Sequence, residues 1–135
     1  MEHTVYLSST AAERYFPESK SCEFTIPLNR PMHLSGLWQC ALVDFHCTNR
    51  PPLVSRLLIC SDMCAESYVN DCTIPVLGVA TLGKWIKRST KEVYTVLRHD
   101  VLTSLNIYIR DSEGCKLSFD FGIVDCTLHF RQIQP

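Results

Sequence analysis

The stretch from Gly36 to Cys47 constrains the fold more than any other part of the chain. Side chains of an extended strand point alternately to opposite faces, and here both alternating sets are largely apolar. Trp38 is large enough to require a core or an interface. Beyond this run, Pro51 and Pro52 prevent the strand from continuing. The stretch therefore predicts a strand at the centre of a sheet whose two faces are both covered.

Further β-prone runs, bounded by turn signals, lie on both sides of this strand. Pro27 cannot donate to a ladder, so the run 22–28 is either an edge strand or ends at Pro27, and we expect this run to pair antiparallel with the central strand. Pro75 and Gly78 predict that the run 74–80 is an edge or bulged strand. The other predicted strands are 4–8, 56–60, 93–98, 104–110, 121–130 and a short one at 116–119. The apolar run 56–60 suggests cover on both of its faces, whereas the segment 61–73 is polar and rich in turn residues.

No segment has the periodicity of a long amphipathic helix. One helical turn at 10–14 is compatible with the sequence, but Pro17 would end it, so we interpret the segment 9–20 as an ordered loop. About eight strands remain, and residues 1–135 are long enough for one domain. This pattern predicts an all-β, antiparallel β-sandwich of the jelly-roll or Greek-key kind rather than a parallel α/β sheet.

Charge and composition exclude several classes of function. The net charge of −1 and the pI near 6.5 give no basic face for nucleic acid. Apolar runs are too short to span a membrane, and the first residues lack the basic and apolar regions of a signal peptide, so we expect a protein that is not secreted. The eight cysteines contain no Cys-x-x-Cys pair, and we expect reduced thiols, several of them in the core, rather than a metal site.

The sequence contains no recognisable catalytic motif. Walker, Rossmann, nucleophile-elbow and metalloprotease patterns are absent, so we predict no enzyme, no cofactor and no small-molecule substrate. His46, His99 and His129 are interpreted as structural histidines. Asp44 and Asp125 could form a carboxylate pair, although hydrogen bonds at a sheet end or interface fit them better. A deep polar pocket joining His99 or His129 to an aspartate would revive the enzyme hypothesis.

The sequence offers better candidates for residues that contact a partner than for catalytic residues. Pro27 lies on a predicted edge strand, and Pro51 and Pro52 lie in a predicted loop. The only basic stretch of the chain also contains an aromatic residue, which makes it either a partner contact or a solvated loop anchored by one tryptophan. Its candidate interface residues are Lys84, Trp85, Lys87 and Arg88.

Several short blocks of the sequence form a pattern that extends in order along nearly the whole chain. The first blocks are Phe-Pro at 16–17, Ile-Pro at 26–27, and Leu34-Ser35-Gly36-Leu37-Trp38 followed by Ala41-Leu42 and the acidic Asp44. Later blocks are Ile-Pro-Val-Leu at 74–77, Ile-Tyr-Ile-Arg-Asp at 107–111 and Phe-Asp-Phe-Gly at 119–122. Together these blocks resemble a protein family found in Polinton-like elements and adintoviruses.

This resemblance implies a capsid-associated structural protein with a jelly-roll-like domain. A minor capsid, penton-like or small cementing protein of an adenovirus-like lineage would fit the size of the chain. Its partners would be further copies of itself and other viral coat proteins, and its location the virion, with the host nucleus or cytoplasm during assembly. The alternative is a β-sandwich binding module that engages a host-cell partner through the same loops.

Overall fold

The computed structural model describes residues 2–52, 54–82 and 92–133. Within these residues the chain forms one short helix and ten strands. In chain order they are β1 (Glu2–Ser8), α1 (Ser9–Tyr15), β2 (Glu23–His33), β3 (Trp38–Cys47), β4 (Arg56–Cys60), β5 (Ser67–Val69), β6 (Cys72–Ile74), β7 (Val76–Thr81), β8 (Thr95–Val96), β9 (Val101–Asp111) and β10 (Val124–Gln132). No helix of the described ranges is long and apolar enough to cross a membrane.

Eight of these strands form two four-stranded antiparallel sheets. The first sheet has the order β1-β10-β3-β8 and the second has the order β2-β9-β4-β7, while β5 and β6 pair only with each other. Along the chain, β1, β2, β3 and β4 alternate between the sheets, and β7, β8, β9 and β10 alternate likewise. This connectivity is that of a jelly roll, so the predicted all-β sandwich of about eight strands is confirmed.

The main core lies between the two sheets and draws large, fully buried side chains from both of them. Its largest members include Phe45, Phe130, Ile59 and Ile107. The sheets approach each other closely at Gly78 of β7, where an added Cβ atom would lie 2.6 Å from Cβ of Leu42 in β3. Only glycine fits at this contact without a shift of one sheet.

The predicted central strand is an inner strand of the first sheet, between β10 and β8. Trp38, Cys40 and Leu42 point into the core as the alternation predicts. The pairing then shifts, because Leu128 of β10 lies opposite Leu42 and the preceding Thr127 lies opposite Asp44. The extra residue is a β-bulge, and it places Phe45 rather than Asp44 in the core.

The predicted pairing between the run 22–28 and the central strand is wrong. Of the two alternatives that Pro27 left open, β2 is an edge strand and continues past Pro27 to His33, but it pairs with β9 in the second sheet. The connection from β2 to β3 crosses from one sheet to the other through Leu34, which is buried and whose N–H donates to the carbonyl of Asp100. Gly36, at φ +90°, allows the turn that follows.

Three other local expectations need correction. The segment 9–15 is the helix α1 rather than a loop, because Ser8 caps it and Ala12 anchors it in the core. The run 116–119 is not a strand, and only Lys116 bridges to Arg110. The polar segment 61–73 contains most of the β5–β6 hairpin, whose turn residue Asn70 adopts φ +53°.

Candidate interaction surfaces

One end of the sandwich carries α1 and the loops between β3 and β4 and between β9 and β10, and we call it the α1 end. Hydrogen bonds tie these segments together. The Asn49 side chain donates to the carbonyl of Asp120 at 3.2 Å, and the Ser21 hydroxyl contacts the Asp120 carboxylate at 3.4 Å. The Arg50 guanidinium donates to the carbonyl of Leu82 at 3.3 Å, which joins the segment after β7 to the same end.

The predicted contact residues Pro51 and Pro52 both lie at the α1 end. Pro51 is buried within the chain, whereas Pro52 is exposed. Pro52 is therefore the member of the pair whose ring is available to a partner. The predicted residues Lys84, Trp85, Lys87 and Arg88 lie outside the described residues, and Leu82 is the last described residue before them.

Pro27 lies on the edge strand β2, opposite Ser104 of β9, and is half-buried. The regular pairing is interrupted after Pro27 and resumes where Met32 faces Leu102. The residues between them are therefore looped out from the ladder, and Asn29, Arg30 and Pro31 are exposed. An irregular edge of this kind limits unspecific strand addition and gives the edge a distinct shape.

The outward face of the first sheet carries a connected group of polar and aromatic side chains, which the sequence analysis did not bring together. We call Glu2, Gln39, Tyr94, His129 and Arg131 the outer-face cluster. The Tyr94 hydroxyl lies 2.8 Å from Nδ1 of His129, and Nε2 of His129 lies 3.5 Å from the Glu2 carboxylate. The Arg131 guanidinium lies 3.4 Å from the centre of the Tyr94 ring and donates from Nε to Gln39 at 3.1 Å.

The register of three strands explains how this cluster forms. Glu2 of β1 and Gln39 of β3 both lie opposite Arg131 of β10, on either side of it. His129 lies two residues earlier on β10 and therefore points to the same face. Tyr94, immediately before β8, reaches this face from the far edge of the sheet. Only the alternation within the predicted strand 121–130, which includes His129, was visible in the sequence.

Tyr6 extends the same face, with its side chain 78 % exposed. Val5 and Leu7, its neighbours on β1, point to the core instead. Tyrosine and arginine are the residue types most enriched in the centres of protein interfaces, because they offer a large contact area together with hydrogen-bonding groups. The outer face of the first sheet therefore has the composition of a contact surface.

The carboxylates and histidines considered as catalytic candidates form no enclosed constellation in the described ranges. Asp44 and Asp125 lie diagonally on neighbouring strands β3 and β10, and both are exposed. His99 and Asp62 line one cleft of about 410 Å³, but the Asp62 carboxylate accepts a hydrogen bond from Asn106 at 3.0 Å. Among the described side chains, no group of three or more histidine, cysteine, aspartate or glutamate residues could hold a metal ion.

None of the eight cysteines is part of a disulfide. Five of them are buried, namely Cys22, Cys40, Cys60, Cys64 and Cys126. Burial raises the pKa of Cys60 and Cys64 to about 12 and raises the pKa of Cys40 and Cys126 further. Such thiols stay protonated and unreactive and act as small core residues. The strand-like runs predicted this role for four cysteines, and it is confirmed for Cys40, Cys60 and Cys126, whereas Cys47 is only partly buried at the margin of the core.

Comparison with known proteins identified no family model and no curated protein that matches the chain.

Proposed function

We propose that this chain is a structural protein of a virus particle, a minor capsid, cementing or penton-like component of the Polinton and adintovirus type. The observation that carries the proposal is the strand order of the two sheets, β1-β10-β3-β8 and β2-β9-β4-β7. This jelly-roll arrangement is typical of viral capsid domains and also of lectins and cupins. Because one fold supports many functions, the resemblance of the sequence blocks to a capsid-associated family is the second support.

The proposed mechanism is assembly through complementary surfaces, without chemistry. A rigid sandwich with a close-packed core holds its outer faces in fixed positions, so that contacts repeat identically from copy to copy. A specific contact requires roughly 800 Å² of surface from each partner. The outer face of the first sheet, with Tyr6 and the outer-face cluster, is our candidate for contact between copies. The edge at Pro27 and the α1 end at Pro52 are candidates for contact with other coat proteins.

Light scattering coupled to size-exclusion chromatography tests the self-assembly part. We expect a mass that is a multiple of the 15.4 kDa chain. The double variant Tyr6→Ala, Arg131→Glu should shift the protein to monomer, because it removes the exposed ring and reverses the charge beside Glu2. Tyr68→Ala is a matched control, since Tyr68 is 87 % exposed on the β5–β6 hairpin and belongs to neither sheet.

Mass spectrometry of purified virus particles tests the location. The proposal expects the chain in the particle at a fixed copy number, with presence in the nucleus or cytoplasm of the host cell during assembly. A protein that stays monomeric at high concentration and is absent from particles would contradict it. Capture of a specific host protein, with no capture of coat proteins in a parallel pull-down, would instead support the host-directed binding module.

A further inference from the structure

The outward faces of the two sheets differ in how much of each is covered. The β5–β6 hairpin packs over part of the second sheet, where Leu58 and Cys60 of β4 are buried together with Ile74 of β6. This is the cover that the apolar run of β4 predicted. On the first sheet, by contrast, Tyr6 of β1 and two charged residues of β10 are exposed. Within the part of the chain that the structure describes, this face therefore presents exposed side chains from neighbouring strands to a partner.

Strand β10 carries opposite charges at the two ends of its outward face. By the alternation of a strand, Asp125, Thr127, His129 and Arg131 point outwards, while the residues between them are buried in the core. Both end residues are exposed. At about 3.4 Å per residue, they lie roughly 20 Å apart. A second copy of β10 that runs in the reverse direction would therefore match each charged end with its opposite.

Each of the two charged ends belongs to a row of residues that crosses β1, β10 and β3. The Arg131 row consists of Glu2, Arg131 and Gln39, and the Asp125 row consists of Ser8, Asp125 and His46. Asp44, which is also exposed, lies diagonally to Asp125 and adds a second carboxylate near the Asp125 row. The face is thus acidic at one end and carries its guanidinium at the other.

Twofold symmetry brings these rows together in a definite way. Two faces can be stacked about a twofold axis that lies between them, either perpendicular or parallel to the strands. With the perpendicular axis, the Arg131 row of each copy lies over the Asp125 row of the other. Arg131 then faces Asp125, Glu2 faces the Ser8 hydroxyl, and no carboxylate of one row faces a carboxylate of the other. The parallel axis would bring each row near its own copy, with like charges together, so the perpendicular axis is favoured.

Arg131 is held in position for such a contact. Its guanidinium lies 3.4 Å from the centre of the Tyr94 ring and donates from Nε to Gln39 at 3.1 Å, yet the residue remains exposed. A side chain that is already ordered loses less conformational entropy on binding. Guanidinium and carboxylate groups also match each other in shape and can pair through two parallel hydrogen bonds. Arg131 is therefore well suited to anchor a contact with a carboxylate of a second copy.

The size of the face is of the order that a stable dimer requires. Four strands at a spacing of about 4.8 Å and nine residues of β10 at about 3.4 Å each give a flat area of roughly 600 Å². The relief of the side chains, above all the ring of Tyr6, adds to this area. A standard interface buries roughly 800 Å² on each partner.

We propose that two copies of this chain form a closed twofold dimer through the outward faces of their first sheets, with Arg131 of each copy paired to Asp125 of the other. This inference rests on the self-assembly in the proposed function and specifies its geometry. Because each copy uses the same patch, the contact closes at two copies and does not by itself extend to a filament. Pro27 and Pro52 lie outside the two rows, so the dimer still presents them to other coat proteins.

Charge reversal tests this pairing by light scattering coupled to size-exclusion chromatography of the full-length protein. The native protein should have a mass of about 31 kDa, twice that of the 15.4 kDa chain. Arg131→Glu and Asp125→Arg should each weaken the dimer at least about 100-fold and give monomers, because each reversal places like charges together at two symmetry-related positions. Arg30→Glu is the matched control, since it reverses an exposed charge on β2 of the other sheet and should leave the dimer intact.

Mixing the two single variants separates direct pairing from damage to the fold. In the mixed dimer, each position 131 faces a position 125 of opposite charge. An equimolar mixture should therefore recover a mass of about 31 kDa, although neither variant dimerises alone. The combined variant Arg131→Glu, Asp125→Arg should dimerise by itself for the same reason. If a reversal lowers the melting temperature, Asp125→Asn takes its place, because it keeps the size of the side chain, and it should weaken the dimer about 10-fold.

Several results would overturn the proposal. They are a native mass other than that of two chains, single variants that remain dimeric, and a mixture or combined variant that remains monomeric. An assembly of another size, or one that these reversals do not change, would refute this pairing and leave the proposed function standing. Absence of the chain from virus particles would refute the proposed function and leave the dimer standing.

Discussion

Replacement of Ser9 by alanine tests how the first sheet is completed at the point where β1 ends. The regular ladder between β1 and β10 stops at Ser8, which lies opposite Asp125. The next donor on β10 is the N–H of Val124, and it is satisfied by Oγ of Ser9 at 2.9 Å. Ser9 is buried, so water is excluded from this bond. The serine side chain thus provides an acceptor that the strand itself no longer provides.

Ser9→Ala leaves the buried N–H of Val124 without its acceptor and changes little else, because alanine differs only by the hydroxyl group. An unsatisfied buried backbone group costs about 1–3 kcal/mol. For a chain of 135 residues, a loss of about 2 kcal/mol lowers the melting temperature by about 7 °C. We expect this shift in calorimetry, and an equivalent shift in the urea midpoint with an unchanged m-value.

The adjacent Ser8 offers a matched control for the same substitution. Its hydroxyl caps α1 by accepting from the N–H of Thr10 at 3.3 Å, a long bond near the surface. Ser8→Ala should therefore cost only about 0.5 kcal/mol. Hydrogen exchange adds a local measurement, since the Val124 amide should lose protection in Ser9→Ala alone. If Ser9→Ala destabilises the protein no more than Ser8→Ala, the argument from the buried N–H is refuted.

Three further predictions concern the core, the buried thiols and the outer-face cluster. Gly78→Ala should lower the free energy of unfolding by about 1–3 kcal/mol, because the added methyl group clashes with Leu42. An unchanged midpoint in urea denaturation would contradict this, since it would mean that the sheets shift to accommodate the methyl group without loss of stability. Because burial raises the pKa of Cys64 from 9.0 to about 12, the unfolded chain loses this proton first, so stability is fully present below pH 9 and falls as the pH rises towards 12. Cys64→Ala should reduce the alkaline slope of the unfolding free energy by about 1.4 kcal/mol per pH unit, and an unchanged slope would contradict the assignment. Tyr94→Phe should lower the free energy of unfolding by about 0.5–1.5 kcal/mol, because it removes the hydrogen bond to His129. If calorimetry shows no loss, that hydrogen bond does not stabilise the fold.

The strands themselves were largely predictable, because alternation is a local property. β4 was predicted at its observed bounds, and an edge position was one of the two alternatives that Pro27, which cannot donate to a ladder, left open for β2. The apolar faces of β4 also predicted cover on both sides. What covers its outer face, the β5–β6 hairpin, was missed because its strands are too short and too polar to show a period.

The candidate surfaces likewise include some that the sequence predicted and one that only the structure revealed. Pro27 and the Pro51–Pro52 loop were found from the sequence because proline carries a local constraint. The outer-face cluster was not found, because Glu2, Tyr94 and His129 lie far apart in sequence and meet only through the pairing of β1 and β10 and the position of β8.

The sequence by itself determined where most strands of the two large sheets lie, which face of these strands is apolar, and that most of the thiols inside them would act as core residues. Local sterics and the period of two are sufficient for that. Only the tertiary structure decided that β2 pairs with β9 rather than with β3, and that a bulge in β3 places Phe45 in the core. Strand partners are chosen by how two complete sheets bury their apolar faces against each other, and that choice depends on contacts between residues distant in sequence.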